Sequence, residues 1–323
     1  MSRKKVGVKG FADMLVEGLS PHTVLDEIDD FIDFSVFAEA FDVAQSKPSR
    51  GRPSYPPLLM FKILLVQVLY NLSDEKMSEA LADRLSFRRF CGFALDESTP
   101  DQTTICRFRN SLQGLETNFL DMVNEQLDQH GMRVRKGTLV DASIVKSNSK
   151  NPQGGEVSER DPEAGWTKKG GQYQHGYKAH VGMDQKSGLI NKTKITSADV
   201  HDGKALFECL DGDDEAVFAD KAYDNESDRK VLRQHQIKPR LMRRTYKSDS
   251  PTRKTRKANL NKAMGKIRGA VEKFFGTMKR SYGMRQARYL GVLKNELHVR
   301  LVAVVYNLVR ATNIRKDLNL QPT

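Results

Sequence analysis

The chain changes its periodicity near residue 136. Before that point apolar residues recur at steps of three and four, the spacing of helices with one buried face. After it, short β-branched runs separated by turn residues take over, the signature of strands. Pro57 opens a predicted helix over 58–70, Ser73 caps one over 74–85, Thr99 with Pro100 starts one over 101–112, and another runs from about 115 to 129. Residues 1–50 read as an arm with short helices near 21–31 and 34–41, followed by a rigid, basic, proline-rich hinge over 51–57. Downstream, strands are predicted over 137–144, 173–183, 188–196, 216–220 and 237–242. Helices are predicted over 201–210, 225–235 and 260–282, and a long polar loop over 145–172. The result is an α/β layout of order β-β-β-α-β-α-β-α preceded by an all-α domain. The boundaries are 1–50, 51–135, 136–315 and a tail at 316–323.

Acids interrupt this pattern at three places. Asp141 lies inside the apolar run Gly137-Thr138-Leu139-Val140-Asp141-Ala142-Ser143-Ile144, where a carboxylate is costly unless a cation neutralises it. Asp220 ends the run Ala216-Val217-Phe218-Ala219, and Glu272 lies in a helical segment between basic neighbours. A strand end reaching solvent explains one such acid. Two strand acids and a helix acid point instead to a divalent metal site.

The formal charge of +12 points to a polyanionic partner. Between Arg240 and Val271 the only acid is Asp249, against eleven cations that include Arg243 and Arg244, a density suited to phosphates or to a solvated loop. The helix over 101–112 offers Gln102, Thr103, Arg107, Arg109 and Asn110 to bases and phosphates if the N-terminal domain is helix-turn-helix-like; an ordinary bundle with a polar face is the other reading. Hydrophobic residues make up 38% of the chain, enough for a core, and the apolar run over 58–70 is too short to span a bilayer. Cys91, Cys106 and Cys209 form no paired motif, so a soluble protein of the reducing cytoplasm, associated with the nucleoid, is expected.

In the helix of Glu272, Ile267, Val271, Phe274 and Met278 form a core stripe, while Arg268, Glu272 and Lys279 share another face with Gly265 and Gly276. Ion pairing between Arg268 and Glu272 accounts for the charges but not for Gly265, Gly269 and Gly276 in a helix interior, each costing about 1 kcal/mol relative to alanine. Small residues beside cations let a bulky anion approach. His175, His180 and His201 compete as zinc ligands, but His175 and His180 are an odd step apart on one strand and face opposite sides, whereas Lys178 and His180 share a side. Trp166 suits either base stacking or anchoring of its loop. Asp161, Asp184, Asp199 and Asp202 read as loop or capping residues.

The spacing Arg268-x3-Glu272-x6-Lys279 resembles the signature of insertion-sequence DDE transposases, with Gly265 where the family pattern has tyrosine. Val140-Asp141-Ala142-Ser143, His175-Gly176-Tyr177-Lys178, Ala219-Asp220-Lys221-Ala222-Tyr223 and Asn307-Leu308-Val309-Arg310 fit in order, and residues 51–112 are similar to the N-terminal domain of the fifth insertion-sequence family. The resemblance implies a ribonuclease H-like mixed sheet flanked by helices. It implies that Asp141, Asp220 and Glu272 hold two magnesium ions, with manganese as a substitute. Lys178, Arg268 and Lys279 would position phosphates. The expected partners are double-stranded DNA, at element ends and target, and a second copy of the chain when two ends are paired; no membrane or small-molecule substrate is expected. A nuclease of the same fold that does no joining, and a non-catalytic DNA-binding regulator, are the alternatives.

Overall fold

The computed structural model describes residues 4–10, 13–14, 21–44, 54–113, 118–149 and 156–317. The hinge residues 51–53, residues 114–117 at the start of the predicted fourth helix, and most of the predicted tail lie outside the described residues. Two compact units emerge, Met1–Gln129 with Val304–Thr323, and His130–Ala303.

The first unit is helical: α1 (Val24–Asp29), α2 (Ser35–Ala44), α3 (Pro57–Leu69), α4 (Asp74–Asp83), α5 (Leu85–Cys91), α6 (Gln102–Ser111) and α7 (Phe119–Gln129). Its core is aromatic. Phe37 and Phe41 of α2 meet Phe61 of α3 and Phe119 of α7, with ring centroids 4.7–6.5 Å apart. The predicted arm therefore contributes core side chains. Asn307, in the predicted Asn-Leu-Val-Arg motif, is fully buried and donates to Asn124 at 2.8 Å.

The helix predicted over 74–85 breaks at Arg84, which is extended (φ −96°, ψ 114°), and α5 follows. Arg88 explains the break. Its buried guanidinium donates to the carbonyls of Leu81, Leu95 and Glu97, groups that a continuous helix would leave apart. The α6 cap is Asp101, whose carboxylate accepts from the Thr104 amide at 2.7 Å.

The second unit is built on six strands: β1 (Thr138–Lys146), β2 (Gly165–Lys169), β3 (Gln172–Asp184), β4 (Ile190–Ser197), β5 (Ala216–Ala219) and β6 (Lys238–Leu241). Their order is β2-β3-β1-β5-β6, with β4 also paired to β3. β1, β3 and β4 are antiparallel; β5 and β6 run parallel to β1. Val140, Val217, Ala219, Tyr223, Leu232 and Leu241 form a buried cluster on one side with α8 (Glu226–Gln234). The helix α9 (Pro251–Arg280) buries Met264, Val271, Phe274, Phe275 and Met278. The last helix, α10 (Val292–Asp317), belongs to the second unit up to Ala303 and to the first beyond it.

Three predicted elements change. The loop over 145–172 contains a strand, β2, and β1 reaches Lys146. The helix predicted over 201–210 is a pair of 3-10 turns, Asp202–Ala205 and Phe207–Cys209. The helix of Glu272 starts at Pro251, so much of the expected basic loop is helical. Ser250 caps it, accepting from the Arg253 amide, and a proline at the first position lacks only an N–H that would go unpaired there. Asp161, read as a loop residue, is fully buried. It accepts from Ser147 Oγ at 2.5 Å, from the Tyr177 hydroxyl and from the Gly291 amide at 3.1 Å, joining its loop to β1 and β3.

Among the described residues no single helix is long and apolar enough to cross a membrane. A bent pair, Pro57–Leu69 with Asp74–Asp83, passes by composition alone, and most of the apolar side chains of the first are core.

Candidate active site

Backbone pairing brings the two strand acids together. Val140 lies opposite Ala219 in the parallel ladder, so the next residue of each strand, Asp141 and Asp220, sit side by side where that pairing ends. Asp220 terminates β5 because its carboxylate accepts from the Ala222 amide at 2.7 Å, capping the 3-10 turn Lys221–Tyr223. The Asp141 side chain is 16% exposed, and its Oδ1 accepts from the Ala142 amide at 2.9 Å. Burial pushes its carboxyl above the usual range; the Arg268 guanidinium opposes that shift and the Asp220 charge adds to it.

Helix α9 supplies the third side. Arg268 Nη2 donates to Asp141 Oδ2 at 2.6 Å, and its other terminal nitrogen lies 3.5 Å from the Met242 sulfur. Glu272 follows one turn later on the same face and is exposed. Among the described residues no three histidine, cysteine, aspartate or glutamate side chains converge closely enough to hold an ion. The carboxylate pair Asp141 and Asp220 suits a hard divalent cation.

The remaining sequence-derived site residues lie elsewhere. Lys178 pairs with Ile144 and Asp141 with Val181, an odd step along β3, so Lys178 projects from the opposite face to Asp141. There it binds Asp202 at 2.8 Å and the Val200 carbonyl at 2.7 Å. Lys279 lies two turns beyond Glu272, half-buried, and its ammonium is pushed down by burial and then by the charges of Lys169, Arg285 and Lys146. Arg244 donates to the carbonyls of Lys221 and Ala222, bracing the turn after Asp220, while Arg243 sits 3.6 Å from Asp224. Both line a cavity of about 680 Å³ with Tyr246, Arg253 and Arg256. Arg107 is exposed on α6. Arg109, expected to face DNA, is instead buried: it forms a forked pair with Asp74 at 2.6 and 2.7 Å, because position 109 falls on the face of α6 that carries Ile105 inward. His175 and His180 are both buried and bonded apart, to the Ala164 carbonyl and Thr196 Oγ1.

Sequence reading passed over Asp224 and Arg229. Arg229 is 2% exposed, yet it donates to Asp224 at 2.8 Å and to the Leu241 carbonyl at 2.9 Å, fastening the turn after Asp220 to β6. It also gave no separate role to Tyr223, whose buried hydroxyl has no hydrogen-bond partner among the described residues; burial raises its pKa well above the ordinary value, followed by the charges of Asp202 and Asp141.

Residues 132–308 match the family model described as Transposase DDE domain, and residues 14–111 the one described as Transposase domain (DUF772). The chain belongs to the DDE transposase family. It is a DNA-cleaving, strand-transferring enzyme of a family that uses divalent metal. The cryo-EM structure of the piggyBac transposase synaptic complex with hairpin DNA is similar in fold, with a TM-score of 0.51 and 9% identity over 94% of this chain and 78% of that one. The sheet of this transposase is thus ribonuclease H-like. The Mos1 strand transfer complex is 10% identical over 93% of this chain and 91% of that one, at a TM-score of 0.21 that carries no weight for the fold.

Proposed function

We propose that Asp141, Asp220 and Glu272 are the catalytic acids of this transposase and that they hold two magnesium ions, which manganese can replace. The observation that carries the reading is the adjacency of Asp141 and Asp220 at the end of the β1–β5 ladder, with α9 bringing Arg268 onto Asp141 and Glu272 one turn away. When bound, such ions activate the attacking oxygen and stabilise the leaving oxygen of a phosphodiester. The chain's own contribution is positioning. Arg268, four residues before Glu272 on α9, and Lys279, seven after it, present cations for phosphate oxygens. Among the described residues no non-local atom lies within 4 Å of where a Cβ would stand on Gly265 or Gly269, which supports close approach of a strand from outside.

The substrates in this reading are the inverted ends of the element that encodes the protein, and then target DNA. Two copies of the chain pair the two ends, working in the cytoplasm at the nucleoid. The test is incubation of the purified protein with a plasmid carrying the gene and its native flanks, in magnesium, calcium or EDTA, beside an Asp141→Asn protein. Magnesium-dependent cuts at both flanks and joined products, absent in the variant, are expected. Cuts without joining would make the protein a nuclease, and binding without cuts a regulator.

A further inference from the structure

The strand that sequence patterning missed forms a distinct piece of the sheet. β2 pairs with β3 from Gly165 opposite Gly176 to Lys169 opposite Gln172. β1 reaches β3 only from Gly176 onward and β4 only from Tyr177 onward. Residues 165–175 are therefore a two-stranded ribbon running past the rest of the sheet. Gly170 and Gly171 turn it with φ of 59° and 82°, the pair of left-handed residues that a two-residue hairpin turn requires. Residues 168–173 are all exposed.

A ribbon without a core needs local support. One face supplies it: the Trp166 ring lies 5.0 Å from His175, and Lys168 Nζ lies 5.1 Å over the Tyr173 ring. Cross-strand partners share a face, so the other face carries Thr167 opposite Gln174 and Lys169 opposite Gln172. Those four side chains have no hydrogen-bond partner among the described residues, and no acid occurs from Ala164 to Lys178. At the base of the ribbon, Lys146 ends β1 and its carbonyl accepts from the Ala287 amide at 2.7 Å, which brings Arg285 alongside. Burial and then the charges of Lys169, Arg285 and Lys146 lower the ammonium pKa of Lys279, and none of these four cations has an acidic partner among the described residues. Such a group suits a polyanion.

We propose that this ribbon enters the major groove of the DNA duplex on which the enzyme acts, and that the face of Thr167, Lys169, Gln172 and Gln174 reads base edges there. The proposal rests on the reading of the acids as a DNA-processing site. A two-stranded ribbon fits the major groove, where glutamine pairs with adenine and lysine with guanine. Lys146, Lys279 and Arg285 hold the flanking phosphates. Lys146 stands five positions beyond Asp141 on β1, about 17 Å along the strand, and by register shares the face of Lys178 and Gln174.

The test is duplex binding by the full-length protein, without divalent metal, to a labelled fragment of the native flank and to a shuffled fragment of equal composition. The Gln172→Ala/Gln174→Ala double variant is expected to cut the preference for the native fragment at least about fivefold while leaving affinity for the shuffled one unchanged. Lys169→Ala is expected to lower affinity for the native fragment more than for the shuffled one and to reduce the salt slope by about one. Replacing single adenines of the native fragment with 7-deazaadenine should weaken wild-type binding at positions that no longer matter in the double variant. An unchanged preference in the double variant, with its melting temperature preserved, would overturn the proposal. So would an equal loss on both fragments. Cleavage plays no part in these measurements, so a transposase reading that failed for want of cleavage would be recognised separately.

Discussion

Arg268 reaches from α9 to place its guanidinium 2.6 Å from Asp141 Oδ2, with both side chains largely withdrawn from solvent. A carboxylate desolvated on a strand is thereby balanced from a helix more than a hundred residues away. Arg268→Ala should destabilise the protein by about 1–3 kcal/mol at neutral pH. Asp141 already titrates above its ordinary value because of burial, and losing Arg268 raises it further. An acid raised in the folded state favours folding at pH below its unfolded value and loses that advantage as pH rises. The gap between variant and wild type should therefore be absent below about pH 4 and grow through the carboxylate range. Denaturant titration across pH checks it; a gap independent of pH would dissociate Arg268 from the ionisation of Asp141.

Arg107 and Arg109 are two residues apart on α6 and should behave oppositely. Arg109→Ala leaves Asp74 without its forked partner and should cost about 2–4 kcal/mol of stability. Arg107→Ala should leave the melting temperature within about a degree and weaken DNA binding, since exposed substitutions rarely move stability. Thermal melts and salt-dependent DNA binding on both variants separate the two roles.

His180 is completely buried, and burial pulls its imidazole down to about 4 from the ordinary 6.5. The folded protein thus stays neutral at this position where the unfolded chain takes up a proton. That contributes stability above pH 6.5, which is lost as pH falls from 6.5 to about 4, by at most about 3 kcal/mol. Imidazole carbon shifts should show no titration of His180 above pH 5. A His180→Gln protein should show a flatter stability profile in that window.

Gly265→Ala with Gly269→Ala should stabilise the free protein, by up to about 1 kcal/mol per site, because nothing non-local would meet either methyl group. If a DNA strand approaches this face closely, the same double variant should bind the native flank more weakly despite its higher melting temperature. Improved stability with unchanged affinity would show that the strand passes elsewhere.

The sequence alone determined most of the order of helical and strand segments, the apolar stripe of Val271, Phe274 and Met278, and the acids inside β1 and at the end of β5, since all of these are periodic or local signals. The motif spacing was legible for the same reason, and it carried the family. Tertiary structure decided what local pattern cannot carry. Asp141 and Asp220 stand together because a parallel ladder joins strands far apart in sequence, and Lys178 lies on the opposite face because of its register parity with Asp141. In sequence Arg109 reads as a DNA contact because its partner, Asp74, belongs to another helix. The β2–β3 ribbon escaped notice because polar residues line it and its stability comes from cross-strand pairs rather than from a buried face. Charge and periodicity announce which groups a chain carries; pairing register and helix docking settle which of them meet.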